Sequence, residues 1–111
     1  MSYKVIPVDK FKKEAKRLVK KYPSLKSELT ELAFALSENP TLGTPLGNEI
    51  FKIRIAIKSK GKGKSGGARV ITYFVTPKKE IYLLTIYDKT EFDTIDAKTL
   101  RRIIDTLTFE E

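Results

Sequence analysis

Apolar positions near the start of the chain change from the pattern of a strand to that of a helix. Residues 3–8, YKVIPV, form a short apolar run that predicts a first strand, with Pro7 limiting its end. Asp9 can cap the helix that follows, because the apolar positions after it recur at helical spacing. These positions are Phe11, Ala15, Leu18, Val19 and Tyr22. The helix is predicted to end at Tyr22, since a residue that precedes a proline avoids helical backbone angles.

A second helix and then a loop are predicted next. Ser24 can cap the helix, and its apolar positions form one stripe that we expect to lie in the core. They are Leu25, Leu29, Leu32, Ala33 and Leu36. Residues 39–48, NPTLGTPLGN, contain two prolines and two glycines, which is the composition of a loop.

From residue 51 onward, apolar and polar positions alternate, and this pattern predicts strands. Residues 51–58 place apolar side chains on one face and Lys52, Arg54 and Lys58 on the other. Residues 68–76 and 81–87 predict two more strands, joined by a turn at residues 76–80. A last helix is predicted, capped by Asp93 or Thr94, and its apolar side consists of Leu100, Ile103, Ile104 and Leu107.

These elements predict a single α+β domain over residues 1–111, with the order β-α-α-β-β-β-α. We expect an antiparallel, twisted sheet with the two N-terminal helices packed on one face. That face would hold Phe51, Ile53, Ile55, Ile57, Val70, Phe74, Leu84 and Ile86. The other face would carry Lys52, Arg54, Arg69, Tyr73, Tyr87 and Lys89. A register slip of one residue would exchange the two faces, so both sets depend on the strand pairing.

The net charge of +8 is concentrated in one segment. Residues 50–79 contain nine basic residues and no acidic one, whereas the rest of the chain is nearly balanced. A patch of this kind attracts phosphates and raises the encounter rate with nucleic acid. The outer side of the first helix is also basic, which is typical of either a solvated face or a second contact with nucleic acid or the ribosome. It carries Lys10, Lys12, Lys13, Lys16, Arg17, Lys20 and Lys21.

The absence of cysteine and histidine excludes several kinds of functional site. The chain has no cysteine and no histidine, so it lacks disulfides, thiolate ligands, and the commonest metal ligand and general base at neutral pH. We therefore predict no metal and no cofactor. No apolar run approaches the length of a membrane span, and the first residues lack a signal-peptide pattern, so we expect a cytoplasmic protein with no membrane partner.

Residues 61–70, GKGKSGGARV, contain three glycines at the spacing of a dinucleotide-binding fingerprint. That fingerprint requires a helix after the glycines, but a strand pattern follows here. A phosphate-binding P-loop would need glycine at position 58, where Lys58 stands. We interpret the segment as the tip of a hairpin, in which Lys60, Lys62 and Lys64 bind a polyanion.

A cationic sheet face with tyrosines suits RNA, because aromatic rings stack on bases and guanidinium groups grip phosphates. RNA also carries its own nucleophile, the 2′-hydroxyl. A protein that cuts RNA need only remove that proton, stabilise the charged phosphate and protonate the leaving oxygen. Without histidine, the base would be a lysine, a tyrosine or a carboxylate such as Glu91.

Two segments resemble a known family. Residues 51–75 resemble the HigB-like branch of the RelE/ParE toxin superfamily, in which a GKGKSGGxRV-like run precedes the central strand. Residues 83–91, LLTIYDKTE, resemble that branch's LLxxYxKxE segment, and the element order resembles a RelE-like small domain. The resemblance implies a type II toxin that is neutralised by a cognate antitoxin. It would cut mRNA in the ribosomal A site, next to 16S rRNA, without metal, leaving a 2′,3′-cyclic phosphate and a 5′-hydroxyl.

The resemblance also implies roles for single residues. Lys52 and Arg54 match the family's basic pair on the strand before the glycines, and Arg69 matches an arginine that would stabilise the transition state. Lys89 stands where RelE-type toxins have an arginine and HigB-like ones a lysine. RelE has an acid/base tyrosine where this chain has Ile95, so that role is open to Tyr73, Tyr87 or Glu91.

The candidate residues thus form two groups. The catalytic candidates are Arg54, Arg69, Tyr73, Lys89 and Glu91. The candidates for binding nucleic acid are Lys52, Lys58, Lys60, Lys62, Lys64 and Tyr87. Two other functions stay open from the sequence: a ParE-like poison of DNA gyrase, which lacks the ribonuclease residues, and an RNA-binding module without catalysis.

Overall fold

The computed structural model describes residues 2–61, 66–91 and 95–108. These residues form three helices and a five-stranded sheet, with single 3₁₀ turns at Lys58–Lys60 and Thr76–Lys78. The elements are β1 (Lys4–Pro7), α1 (Asp9–Lys21), α2 (Leu25–Glu38), β2 (Thr44–Gly47), β3 (Ile50–Ile55), β4 (Ala68–Val75), β5 (Glu80–Asp88) and α3 (Ala97–Thr108). The predicted α+β class is confirmed.

The sheet has the strand order β1-β5-β4-β3-β2. Strands β3, β4 and β5 form the predicted antiparallel meander, and β1 joins the far edge parallel to β5. Pairing between β1 and β5 ends at Leu83. The rest of that edge is covered by α1, whose Glu14 carboxylate accepts hydrogen bonds from the Ile86 amide and the Thr85 hydroxyl. The edge amide of Ile86 is therefore satisfied without another strand.

One strand was predicted as a loop. Residues Thr44–Gly47 pair antiparallel with β3, so the observed order is β-α-α-β-β-β-β-α. All four residues are exposed, and therefore no alternating apolar pattern marks this strand. Pro45 is tolerated there because β2 lies at the edge of the sheet, where one side of the backbone needs no partner.

The two faces of the sheet carry two separate cores. The first core confirms the predicted packing of α1 and α2 on one face, with Leu18 and Leu36 against Val70 and Ile86. The second core lies under α3, where Leu100 packs in one cluster with sheet residues. These sheet residues are Ile50, Ile71, Leu84 and Tyr87.

The assignment of Leu84 to the first face was wrong. The register between β4 and β5 shifts after Ile71, which pairs with Thr85, because Thr72 pairs with Leu83. Leu84 is the extra residue of this β-bulge, and the bulge turns its side chain to the face covered by α3.

The helix ends differ from their predictions in detail. Helix α1 ends at Lys21, with the predicted end residue Tyr22 in the cap position after it, and at its start Val8 occupies the cap position and Asp9 is the first helical residue. Ser24 occupies the cap position of α2 without making a side-chain cap bond. Asp93 and Thr94 lie outside the described residues. Asp96 accepts a hydrogen bond from the Thr99 amide at 2.8 Å, which lowers the pKa of Asp96 and caps α3.

Candidate nucleic-acid interface

Three predicted residues form a row across the three central strands of the sheet, near one end of each strand. Arg54 on β3 pairs with Arg69 on β4, and Arg69 pairs with Tyr87 on β5. Directly paired residues have Cβ atoms roughly 5 Å apart and point to the same face. Two arginines in such a position repel each other, so the arginine row (Arg54, Arg69 and Tyr87) is a natural place for an anion.

The two arginines of the row differ in exposure. Arg54 is exposed, whereas Arg69 is only 4% exposed and donates a hydrogen bond to the Ala68 carbonyl at 3.2 Å. Arg69 is therefore held in a fixed position in the floor of the site, and Arg54 lies at its rim. Lys52 lies two residues along β3 from Arg54 on the same face and is half-buried.

Tyr87 is placed in the row but is 4% exposed. It packs in the cluster under α3 together with Leu100 and Ile95. With α3 in this position its ring is enclosed by protein, so the stacking of a base on Tyr87 would require α3 to move.

Tyr73 lies on the same face as the row but away from it. It is four residues from Arg69 along β4, or roughly 13 Å at the usual rise of a strand. It lines a groove of about 460 Å³ between α3 and the sheet. Lys52, Tyr87 and Arg101 of α3 also line this groove, so a ligand along it would meet cations and aromatic rings together.

Lys89 and Glu91 lie in a turn that directly follows β5. The Lys89 amide donates to the Gly67 carbonyl at 3.0 Å. Lys89 therefore lies two residues beyond Tyr87, next to the end of the arginine row. The Glu91 carboxylate accepts two hydrogen bonds from Arg17 of α1, at 3.2 and 3.4 Å. This contact raises the pKa of Arg17, so the guanidinium stays charged.

The lysines of the glycine-rich segment separate into different environments. The Lys58 side chain is exposed, while its backbone amide donates to the Glu28 carboxylate at 2.7 Å. Lys60 instead turns inward, with its side chain 8% exposed, and forms an ion pair with Asp88. Lys62 and Lys64, which were also predicted to bind nucleic acid, lie outside the described residues.

Asp88 is the centre of a buried polar cluster that the sequence did not indicate. Its carboxylate accepts hydrogen bonds from Lys60, from the Tyr22 hydroxyl at 2.8 Å, and from the amide and hydroxyl of Thr90 at 3.0 and 2.8 Å. Burial alone would raise the pKa of Asp88, but these donors together hold that pKa well below its usual range. Asp88 is therefore a carboxylate at neutral pH.

Some functional signals were visible in the sequence and others were not. An aspartate two residues before a threonine is a common local turn motif, so the contact of Asp88 with Thr90 could have been predicted. The contacts of Asp88 with Tyr22 and of Glu91 with Arg17 join residues more than sixty positions apart. The sequence therefore did not distinguish Arg17, which contacts Glu91, from the other basic residues of α1.

The described residues restrict the chemistry further. Among residues 2–61, 66–91 and 95–108, no three acidic side chains are grouped as a metal site would require. In the same part of the chain, no helix has both the length and the apolar character needed to cross a membrane. The arginine row, with Lys52 and Lys89 beside it, can bind a phosphodiester and stabilise extra negative charge on it.

The fold is shared with solved bacterial toxins. A mutant of Escherichia coli toxin RelE in the free state superposes with a TM-score of 0.62 at 14% identity, covering 84% of this chain and 90% of that one. The RelBE2 toxin–antitoxin complex of Mycobacterium tuberculosis gives 0.61 at 19% identity, covering 79% and 99%. The intact E. coli RelBE toxin–antitoxin complex gives 0.60 at 14% identity, covering 78% and 96%. No family model matches the sequence. The chain therefore has the RelE-type toxin fold.

Proposed function

We propose that this protein is the toxin of a type II toxin–antitoxin system and acts as an endoribonuclease on mRNA in the ribosome. The observation that carries the proposal is the pairing of Arg54 with Arg69 in one row of a RelE-type fold. Lys52 lies two residues from Arg54 on the same face, and the backbone of Lys89 is bonded to Gly67, two residues before Arg69. Two arginines at directly paired positions are unfavourable in a free protein, and the pairing becomes favourable when a phosphate lies between them.

The proposed reaction needs no metal. A base removes the proton of the 2′-hydroxyl, whose oxygen attacks the neighbouring phosphorus. The bond from phosphorus to the 5′-oxygen breaks, and an acid protonates that oxygen. The products are a 2′,3′-cyclic phosphate and a 5′-hydroxyl, and the protons balance between base and acid.

The geometry favours different roles for the cations. Arg69 is as buried as Tyr87 and donates to the Ala68 carbonyl, so it would act on a phosphate in the row as a fixed charge beneath it rather than as the first contact with RNA. Arg54 is exposed and suits the initial grip on the RNA backbone. Lys89 is a candidate for the acid at the leaving oxygen. The candidates for the base are Lys52, Tyr73 and Glu91, and Tyr87 joins them only if α3 moves.

We also propose a cognate antitoxin as a partner and assign the chain to the HigB-like branch. Two of the solved structures with this fold are toxin–antitoxin complexes, which supports such a partner. The segments at residues 51–75 and 83–91 support the branch assignment.

A test of this function compares wild-type protein with Arg69→Ala in cells. Wild-type protein is expected to stop protein synthesis and shorten mRNA, and folded Arg69→Ala protein is expected to do neither. A DNA-damage response without mRNA loss would instead indicate a gyrase poison. A protein that shifts RNA in a gel but leaves translation intact would be an RNA-binding module without catalysis.

A further inference from the structure

A turn at residues 88–91 carries two candidate catalytic residues, and Asp88 ties this turn to two distant parts of the chain. Tyr22, at the end of α1, and Lys60, in the segment before β4, both donate hydrogen bonds to the Asp88 carboxylate. The amide and hydroxyl of Thr90 donate to the same carboxylate from within the turn. The Asp88 side chain is completely buried.

We infer that Asp88 is a positioning residue for RNA cleavage, because it clamps the turn at residues 88–91 and so fixes Lys89 relative to Arg69. This inference rests on the proposed function. Asp88 follows Tyr87 directly, and successive side chains of a strand point to opposite faces. Asp88 therefore lies under the sheet, while Tyr87 belongs to the arginine row on top. Its effect on the site passes through the backbone on either side of it.

The turn is held at three points. Asp88 holds its start, the Gly67 carbonyl accepts from the Lys89 amide at 3.0 Å, and Arg17 grips the Glu91 carboxylate at its end. The Glu91 amide also donates to the Asp88 carbonyl at 2.9 Å, which closes the turn. Among these contacts, those of the Asp88 side chain join the turn to two other parts of the chain. Tyr22 at the end of α1 is one, and Lys60 in the segment before β4 is the other.

Stability alone does not account for this cluster. Burying a carboxylate and an ammonium costs free energy that their attraction only partly returns, and apolar residues of similar volume are often as stable. What four hydrogen bonds to one buried carboxylate provide is a fixed geometry. A displacement of about 1 Å at a reacting group can reduce a rate by about a hundredfold, so a fixed position for Lys89 has direct value for cleavage.

The test uses Asp88→Asn, which keeps the size of the side chain but removes its charge. The matched control is Ile81→Val, a change at an equally buried position near the other end of β5. Two properties are measured for each protein. The first is the cleavage of mRNA on stalled ribosomes over a range of toxin concentrations, which gives a maximal rate and a half-saturating concentration. The second is hydrogen exchange of the Lys89 and Thr90 amides in the free protein.

For Asp88→Asn we expect a maximal rate lower by about tenfold or more, with a half-saturating concentration within about twofold of wild type. The Lys89 and Thr90 amides are expected to exchange at least about tenfold faster. Ile81→Val is expected to keep the wild-type rate and amide exchange. If Asp88→Asn does not fold, Tyr22→Phe replaces it, since that change removes one of the four hydrogen bonds. It should then lower the rate by roughly twofold to fivefold.

Each contrary result has its own meaning. Unchanged exchange at Lys89 and Thr90 would overturn the clamp, whatever the cleavage rate. Faster exchange with a rate equal to that of Ile81→Val would show that the cluster is structural only. Wild-type protein that cuts no mRNA would overturn the proposed function and the role of Asp88 in it, and hydrogen exchange would then still report whether Asp88 holds the turn.

Discussion

Arg54 and Arg69 show how the same residue type meets different surroundings at two paired positions. Both were predicted from alternation along their strands, and the register places them side by side. Their burial was not predictable from alternation, because alternation assigns a residue to a face and not how deeply it is covered. An exposed and a buried guanidinium are thus paired in one row.

The guanidinium of Arg54 gives a prediction at the scale of a single residue. Arg54→Lys keeps the charge but loses the planar pair of donors that matches a phosphate. We expect the rate of mRNA cleavage to fall by about tenfold or more, while the thermal midpoint of unfolding stays within about 2 °C because Arg54 is exposed. Arg102→Lys, the same change at an exposed position of α3 outside both groups of candidate residues, is the control. A full cleavage rate for Arg54→Lys would mean that charge alone is used there.

The buried carboxylate of Asp88 gives a prediction about how stability changes at low pH. Its pKa is lower in the folded protein than in the unfolded chain, so the unfolded chain takes up the proton first. The stabilisation is complete above the unfolded pKa of about 4 and is lost as the pH falls below it. Wild-type protein should therefore lose free energy of unfolding more steeply below about pH 4 than Asp88→Asn does. Equal slopes in urea unfolding at several pH values would contradict the ion pair.

At the scale of elements, the spacing of apolar residues predicted the helices and strands that bury a face. It did not predict the strand that is held by backbone hydrogen bonds alone. α1, α2 and the meander of β3, β4 and β5 were predicted because each buries an apolar stripe or face. β2 was missed because it buries nothing. The predicted face of Leu84 was wrong because a β-bulge interrupts the alternation of β5, and no residue type in β5 indicates that bulge.

Gly67 sets how closely β3 approaches the residues before β4. A Cβ atom at this position would lie 2.0 Å from the Ile55 carbonyl oxygen, so backbone atoms would have to separate. Gly67→Ala should therefore lower the free energy of unfolding by about 3 kcal/mol or more. Gly47→Ala is the control, since a Cβ there meets nothing within 4 Å and costs only the strain of its φ of +96°, about 1 kcal/mol. Similar losses for the two variants in urea unfolding would contradict the close approach.

At the scale of the whole molecule, positive charge lies on more than the arginine row. α1 packs beside β5 in the first core, on the sheet face opposite the arginine row, and the contact of Arg17 with Glu91 links it to the turn that carries Lys89. The sequence left open whether the exposed lysines of α1 are only solvated or contact RNA.

Salt dependence separates these two roles of the α1 lysines. Replacing Lys12, Lys16 and Lys20 with glutamine should lower the slope of log affinity for ribosomes against log salt by roughly 2, since each phosphate contact contributes about 0.7–0.9. The control replaces the exposed Lys4, Lys26 and Lys78 with glutamine and makes the same change in net charge at other places. Equal slopes for the two triple variants would show that α1 is merely solvated.

The central claim is that the arginine row cuts mRNA in the ribosome, and mapping of cleavage sites tests it most directly. A defined mRNA is incubated with the protein in two samples, one with translating ribosomes and one without ribosomes or added metal. The cuts in each sample are mapped by primer extension. We predict cuts within the coding sequence that appear only with ribosomes and are absent for Arg69→Ala. Continued translation of intact mRNA in the presence of folded wild-type protein would contradict the claim.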